Sequence, residues 1–374
     1  MTTATITVLP GDGVGPETVH EALRVLRAVE EKYGHTFTVH KRLVGLEAIT
    51  AEGEAISDAT FETCGRSDAV LLGAVGSLPD GEKRSDGPRP GQALFRLRKE
   101  FDLFANLRPV RPLEPLLEAS PVKPEHLKGT DMVFVRELSA GLYYGHLETV
   151  PGKPSEIRQG ERGTEAVDTL LYTEKEIERV VRTAFEIAAD RSGRVTSVDK
   201  ANVLSSSVLW RRVVERVAAD HPQVSHEHML VDACAMRLIR TPSDFDVVVT
   251  ENLFGDILTD EASLLTGSIG MLPSASLGVR RTEGGLFGLY EPIHGSAPDI
   301  AGQDRANPVG AVLSAALLLR HSLGLHREAA AVEEAVEDVI RQGFRTVDIE
   351  ESGCTVVGTE EMGRRIRDRV AAQD

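Results

Sequence analysis

Short apolar runs rich in β-branched residues recur along this chain, and longer helix-period stretches separate many of them. The runs are TITVL (5–9), AVLLG (69–73), MVFV (132–135), VTSV (195–198) and DVVVT (246–250). Each has the length of a strand and the composition that suits a pleated, buried surface. Alternation of such strands with helices predicts α/β layers. At 374 residues the chain has room for two domains and a large core.

The ends of these runs carry charge. MVFV leads into Arg136, VTSV into Asp199 and Lys200, the HML run into Val231 and Asp232, and VVVT into Glu251 and Asn252. In α/β proteins ligands gather beyond the carboxyl ends of strands. A single charged ending only aids solubility, but several of mixed sign indicate one polar site.

Composition narrows the partners. The formal net charge of −16 disfavours nucleic acid and anionic membranes, and any anionic substrate must meet a local basic pocket. Cys64, Cys234 and Cys354 are scattered, with no C-x-x-C, which disfavours a disulfide frame and predicts a reducing, cytoplasmic setting. The N-terminal stretch lacks the basic and apolar regions of a signal peptide, and the longest apolar run, 309–319, is too short to span a membrane. Residues 83–91 read as an exposed loop. Residues 141–163 lack a helical period and read as a functional loop or an interface arm.

The stretch VLPGDGVGPETVHEALRVL (8–26) runs from strand through Gly11, Gly13 and Gly15 into a helix. Pro16 and Glu17 suit its first turn, and Gly34 suits its end. The Rossmann fingerprint wants Gly-x-Gly-x-x-Gly, and Pro16 stands at its last position. No acidic residue follows a second strand at the required distance. A tight strand-to-helix turn accounts for the glycines better.

Four further stretches carry chemistry. In ENLFGDILTD (251–260), Asp256 and Asp260 share a helix face, either as solvated acids or as oxygen ligands for Mg²⁺ or Mn²⁺. Arg98, Arg108 and Arg136 are each either surface ion-pair formers or forks for substrate carboxylates. Lys200, at a strand end, is an exposed lysine or a base, and Tyr143 is an interface aromatic or a proton donor. EPIHGSAPDIAG (291–302) is a loop of small residues that could approach phosphates, with Asp299 able to accept from a ribose.

Taken together, LPGDGVGPE, LRKEFDLFANLRP, VRELSAGLYYG, VDKANVL, VDACAM, NLFGDILTDEAS, GSIGMLPSASLG and HGSAPDIAG, in this order, resemble the isocitrate/isopropylmalate dehydrogenase superfamily. These are β-decarboxylating dehydrogenases of 2-hydroxy diacids, and the resemblance runs from about residue 5 to about residue 325. It implies an α/β, two-domain fold that is not of Rossmann type. A discontinuous cofactor domain would comprise 1–103 and 267–374, and a dimerisation and substrate/metal domain 104–266, with an arm near 141–163. The resemblance further implies NAD and Mg²⁺ or Mn²⁺ as cofactors, a small-molecule substrate, and a homodimer with shared active sites. Arg98, Arg108, Arg136 and Asp232 would bind substrate, and Asp232, Asp256 and Asp260 the metal. Tyr143 and Lys200 would be catalytic, with Lys200 and Asp232 coming from the partner subunit. Gly73, Glu291, His294, Gly295, Ser296, Ala297, Pro298, Asp299 and Asn307 would bind NAD.

The isopropylmalate branch is the most similar. Gln92 and Leu94 stand where isocitrate enzymes place Ser and Asn, and Leu94, Phe95 and Val203 would form an apolar niche, unless they are core residues. Burying an isopropyl group there stabilises by about 1.5–3 kcal/mol, and burying a carboxylate there would be prohibitive. The reaction implied is oxidative decarboxylation of 3-isopropylmalate in leucine biosynthesis. Departures are the absent Glu in RPGQ (89–92), Phe95 and Glu251. They keep tartrate-, malate-, homoisocitrate- and isocitrate-type members as alternatives. A non-enzymatic regulatory subunit should have lost part of the catalytic set, and none is missing.

Overall fold

All five apolar runs form strands, described here from a computed structural model for residues 1–76, 87–145 and 155–373. Residues 83–86 of the exposed loop and 146–154 of the expected arm lie outside the described residues. In chain order the strands are β1 (Thr3–Gly11), β2 (Thr36–Lys41), β3 (Ala69–Ala74), β4 (Ala105–Val110), β5 (Met132–Glu137), β6 (Glu156–Gly160), β7 (Gly163–Val167), β8 (Arg194–Asp199), β9 (Ser225–Leu230), β10 (Val247–Thr250), β11 (Pro273–Arg281) and β12 (Leu286–Pro292), followed by the short β13 (Phe344–Arg345) and β14 (Thr355–Val356).

The chain divides into two units. The first comprises Met1–Leu103, Pro112–Glu125 and Ser263–Asp374; the second comprises Phe104–Arg111 and His126–Ala262. Thus Pro112–Glu125 goes with the first unit, although the sequence division assigned all of 104–266 to the second. Its anchors explain this. Arg345 donates to the Pro115 carbonyl at 2.8 Å, and Ser120 Oγ to the Leu264 carbonyl at 2.8 Å.

In the first unit the strand order is β2-β1-β3-β12-β11, parallel except for the antiparallel β11–β12 pair. β3 is buried throughout, as its unbroken apolar run requires. The helix Gly15–Tyr33 buries Val19, Ala22, Leu23, Leu26 and Val29, the face its periodicity predicts. Gly34 ends it in the left-handed region, its N–H bonded to the Glu30 carbonyl. The run 309–319 lies in the buried helix Val309–His321. No helix among the described residues is long and apolar enough to cross a membrane.

In the second unit the order is β4-β5-β10-β8-β9, with β4 antiparallel to β5 and the others parallel. Parallel pairing brings the carboxyl ends of β5, β10, β8 and β9 to one edge. Thr250 pairs with Arg136 and with Val198, and Asp199 with Leu230. Arg136, Glu251, Lys200 and Asp232 therefore lie at or just beyond neighbouring strand ends. Within the expected arm β6 forms one strand of an antiparallel hairpin, largely exposed, whose second strand, β7, runs on past the expected end at 163.

Candidate active site

In the second unit, NLFGDILTDEAS folds as the helix Asn252–Ser263. Asn252, Asp256 and Asp260 recur every four residues and share a face. That face meets two arginines from the strands. Arg136, almost fully buried at the end of β5, donates through Nε (3.0 Å) and Nη2 (2.7 Å) to Asn252 Oδ1, and through Nη1 to Asp256. Arg108, on β4, donates to Thr259 Oγ1 (2.5 Å) and Asn106 Oδ1 (2.8 Å). It also stands 3.7 Å from Asp256 and 3.6 Å from Asp260. Tyr143 donates its hydroxyl to Asp256, and the Arg136 guanidinium lies 5.3 Å from its ring centre.

The packing depends on Gly255. A Cβ there would meet Arg136 Cγ at 2.6 Å and Arg136 Cβ at 2.9 Å. A glycine in mid-helix sacrifices helix propensity, and here its lack of a side chain is what lets the arginine stem lie against the backbone.

The two carboxyls differ. Burial pushes Asp256 up, but Arg136, the Tyr143 hydroxyl and Arg108 outweigh it and hold it below the usual carboxylate range. Burial and the charge of Asp256 push Asp260 above that range against the two arginines. Burial, then the contact with Asp256, raises Tyr143. Two hard-oxygen donors one turn apart, of which Asp260 still feels its neighbour's charge, fit a divalent cation such as Mg²⁺ or Mn²⁺. Asp232 does not complete a three-carboxylate group with them within one chain, among the described residues. At the start of the helix Val231–Arg240, it pairs with Lys200 beyond β8. That hydrogen bond draws the Asp232 carboxyl down.

Glu251 is the helix cap. Its Oε1 accepts from the Phe254 N–H at 2.6 Å, and Tyr172 donates to its Oε2 at 3.3 Å. Burial raises its carboxyl against these bonds. The residue that departs from the family pattern thus has a structural use. Asn252, Asn106, Thr259 and Gly255 were not predicted as site residues, although the four-residue spacing of Asn252 and Asp256 carried the signal for the first.

In the first unit, the glycines of LPGDGVGPE serve close packing. At Gly11 (φ +75°) a Cβ would meet the Ala74 carbonyl oxygen at 1.9 Å, and at Gly13 (φ +58°) that of Ser296 at 1.8 Å. Gly73 lies under the same loop; its Cβ would meet the Pro10 carbonyl at 2.2 Å. The loop is pinned by Val14 N–H to the Ser296 carbonyl (2.8 Å). The carboxylate of Asp12 accepts from the Leu46 and Gly76 N–H groups at 2.9 and 2.7 Å.

Ser296 belongs to HGSAPDIAG. Here Ala297 takes a positive φ of 35°, Gly295 has open space around its Cα, and Asp299 is exposed. His294 Nδ1 contacts the Gly295 carbonyl (2.9 Å), while Nε2 is shielded and lacks a hydrogen-bond partner among the described residues. Burial lowers this imidazole, so it is neutral at pH 7. An orphaned ring nitrogen beside an open glycine fits a nucleotide with polar edges. Asn307 caps the helix Val309–His321 by accepting from the Val309 N–H (3.0 Å), and donates to Asp348 (3.1 Å). Arg98 ion-pairs with Glu291 at 3.2 Å. Leu94 packs against the core of this unit, whereas Val203, in the second, is 69% exposed.

Comparison with known proteins matches this architecture. Residues 5–366 match the model of the family described as isocitrate/isopropylmalate dehydrogenase. A relative from Priestia megaterium called 3-isopropylmalate dehydrogenase is 54% identical over 360 residues, 96% of this chain and 94% of that one. One of the same name from Geobacillus kaustophilus is 54% identical over 369 residues, 98% and 95% of the two chains. A crystal structure of isocitrate dehydrogenase from Methylococcus capsulatus superposes with a TM-score of 0.82 at 32% identity, covering 98% of this chain and 99% of that one. The fold is thus that of the β-decarboxylating dehydrogenases. The chain belongs to the isocitrate/isopropylmalate dehydrogenase family, and the expected α/β fold of that family, not the Rossmann fold, is the one observed.

Proposed function

We propose that the chain catalyses NAD-dependent oxidative decarboxylation of 3-isopropylmalate to 4-methyl-2-oxopentanoate and CO₂, a step of leucine biosynthesis. The observation that carries the chemistry is the gathering of Arg108, Arg136 and Tyr143 around Asp256 and Asp260 on one face of the helix Asn252–Ser263. The relatives' shared name carries the substrate.

Arg108 and Arg136 hold the substrate's carboxylates, with Asn252 and Asn106 fixing their planes. Arg98 is the third candidate for that role. Asp256 and Asp260, with Asp232, hold Mg²⁺ or Mn²⁺. His294, Gly295 and Asp299, with the neighbouring residues of that loop, hold NAD. When bound, NAD accepts the hydride from the alcohol carbon and the metal ion stabilises negative charge on its oxygen. Lys200 takes the hydroxyl proton, directly or through a water it orients, and Asp232 positions it. The bond to the β-carboxylate breaks to release CO₂, and Tyr143 returns a proton to carbon.

A homodimer with shared sites is part of this reading. Its support is that Asp232 stands apart from Asp256 and Asp260 within one chain. Apolar side chains are also exposed on the second unit's helices, Met236 at 67%, with Val208, Ile239 and Ile257. The cysteines are free, two of them buried, in keeping with a cytoplasmic enzyme. Glu251 gives no reason to move the substrate toward tartrate or malate, because its carboxylate caps a helix.

NADH formation measured with 3-isopropylmalate, isocitrate, homoisocitrate, tartrate and malate tests the assignment. The expected kcat/KM for 3-isopropylmalate exceeds the others by about 10²-fold or more. A preference for any other acid overturns it.

A further inference from the structure

Away from the active site, β9 carries His226 and His228, two residues apart on an edge strand and therefore on the same face. The helix Ser205–Ala219 brings Glu215 over that face. Both imidazoles present Nε2 to one carboxylate oxygen, Glu215 Oε1, at 3.3 Å from His226 and 2.9 Å from His228. Among the described residues, this is the group of three His, Cys, Asp or Glu side chains whose ligand atoms all lie within 4.8 Å of one another.

We propose that Glu215, His226 and His228 form a Zn²⁺ site separate from the catalytic carboxylates. The donor set is two imidazole nitrogens and one carboxylate, which suits zinc and poorly suits the all-oxygen preference of Mg²⁺. The spacing also fits. A tetrahedral ion with bonds of about 2.0–2.1 Å places its ligands about 3.3 Å apart, close to the two separations from Glu215. Phe185 packs beside His226, with ring centres 6.0 Å apart, and shields one side of the site. Glu215 is 60% exposed, which leaves a fourth position for water. A bound ion would tie the edge strand to the helix that covers it, stabilising the fold rather than taking part in the reaction.

The test uses the full chain, stripped with a chelator and then saturated with Mg²⁺ to fill the catalytic carboxylates. Zn²⁺ is added and bound metal is measured by elemental analysis after dialysis. The expected result is one additional zinc per chain and a raised thermal midpoint. His226→Gln and His228→Gln should abolish both while leaving Mg²⁺-supported activity intact, and Glu215→Gln should weaken the binding. Co²⁺ in place of zinc should give a visible spectrum of nitrogen-bound tetrahedral cobalt, lost in the same variants. Absence of bound zinc in the wild type, or zinc retained in both histidine variants, overturns the proposal.

Discussion

At the residue scale the site balances opposite charges at close range. Asp256 neutralises part of Arg136 and Arg108 and receives the Tyr143 hydroxyl, so one side chain contacts both arginines and the tyrosine of the proposed site and is one of its three proposed metal ligands. Asp256→Asn keeps the shape and removes the charge. It should lower kcat/KM by roughly 10²-fold and raise the Mg²⁺ concentration needed for half-maximal rate. NADH formation measured across a Mg²⁺ titration checks both, and an unchanged metal requirement would remove Asp256 from the ligand set. Arg136 was legible as one of several charges of mixed sign that end apolar runs, and Asp256 with Asp260 as a four-residue pair on one helix face. The neutral residues that hold them were not. Asn252, Asn106 and Thr259 matter only through the guanidinium each receives, and that depends on strand register.

At the scale of elements, the reading of strands and helices followed from periodicity. What periodicity hides is why a glycine stands where it does. The three glycines near the N-terminus read as a tight strand-to-helix turn, and the reason for each is the backbone it meets, at Ala74, Ser296 or Pro10. Gly255 shows the same logic inside a helix. Gly255→Ala gains about 1 kcal/mol of helix propensity but displaces the Arg136 stem. The variant should therefore raise KM several-fold with little loss of thermal midpoint; steady-state kinetics beside calorimetry separate the two.

The end of β5 supplies a second device that the sequence conceals. Glu137 is fully buried and accepts from the Ser139 and Ala140 N–H groups at 2.8 and 3.0 Å. Burial outweighs these bonds and the nearby Arg179, and its carboxyl is pushed from 4.5 up to about 7. Folding thus takes up a proton between those values. The protonated carboxyl's contribution to stability is full below pH 4.5, falls as the pH rises, and is lost above about 7. The slope is on the order of 1 kcal/mol per pH unit. Glu137→Gln keeps an acceptor and cannot titrate, so denaturant unfolding from pH 5 to 8 should show a flatter decline than the wild type. Parallel profiles would refute the shift.

For the whole molecule, the question is whether a complete site belongs to one chain. Lys200 and Asp232 lie beyond the ends of β8 and β9, Asp256 lies in the helix beyond β10, Arg136 near the end of β5 and Arg108 on β4. A homodimer that shares sites would place the lysine of one chain opposite the aspartates of its partner. Complementation tests this directly. Lys200→Ala and Asp256→Asn chains are each expected to keep only about 1% of wild-type activity or less alone. In a mixed dimer, one site would carry both lesions and the other neither. Unfolding the two variants together and refolding them at equal concentration gives half mixed dimers, so activity should return to about a quarter of wild type. Sites built within one chain would each keep a lesion and show no rescue. A dimer by light scattering without complementation would therefore leave the assembly standing and remove the sharing of its sites.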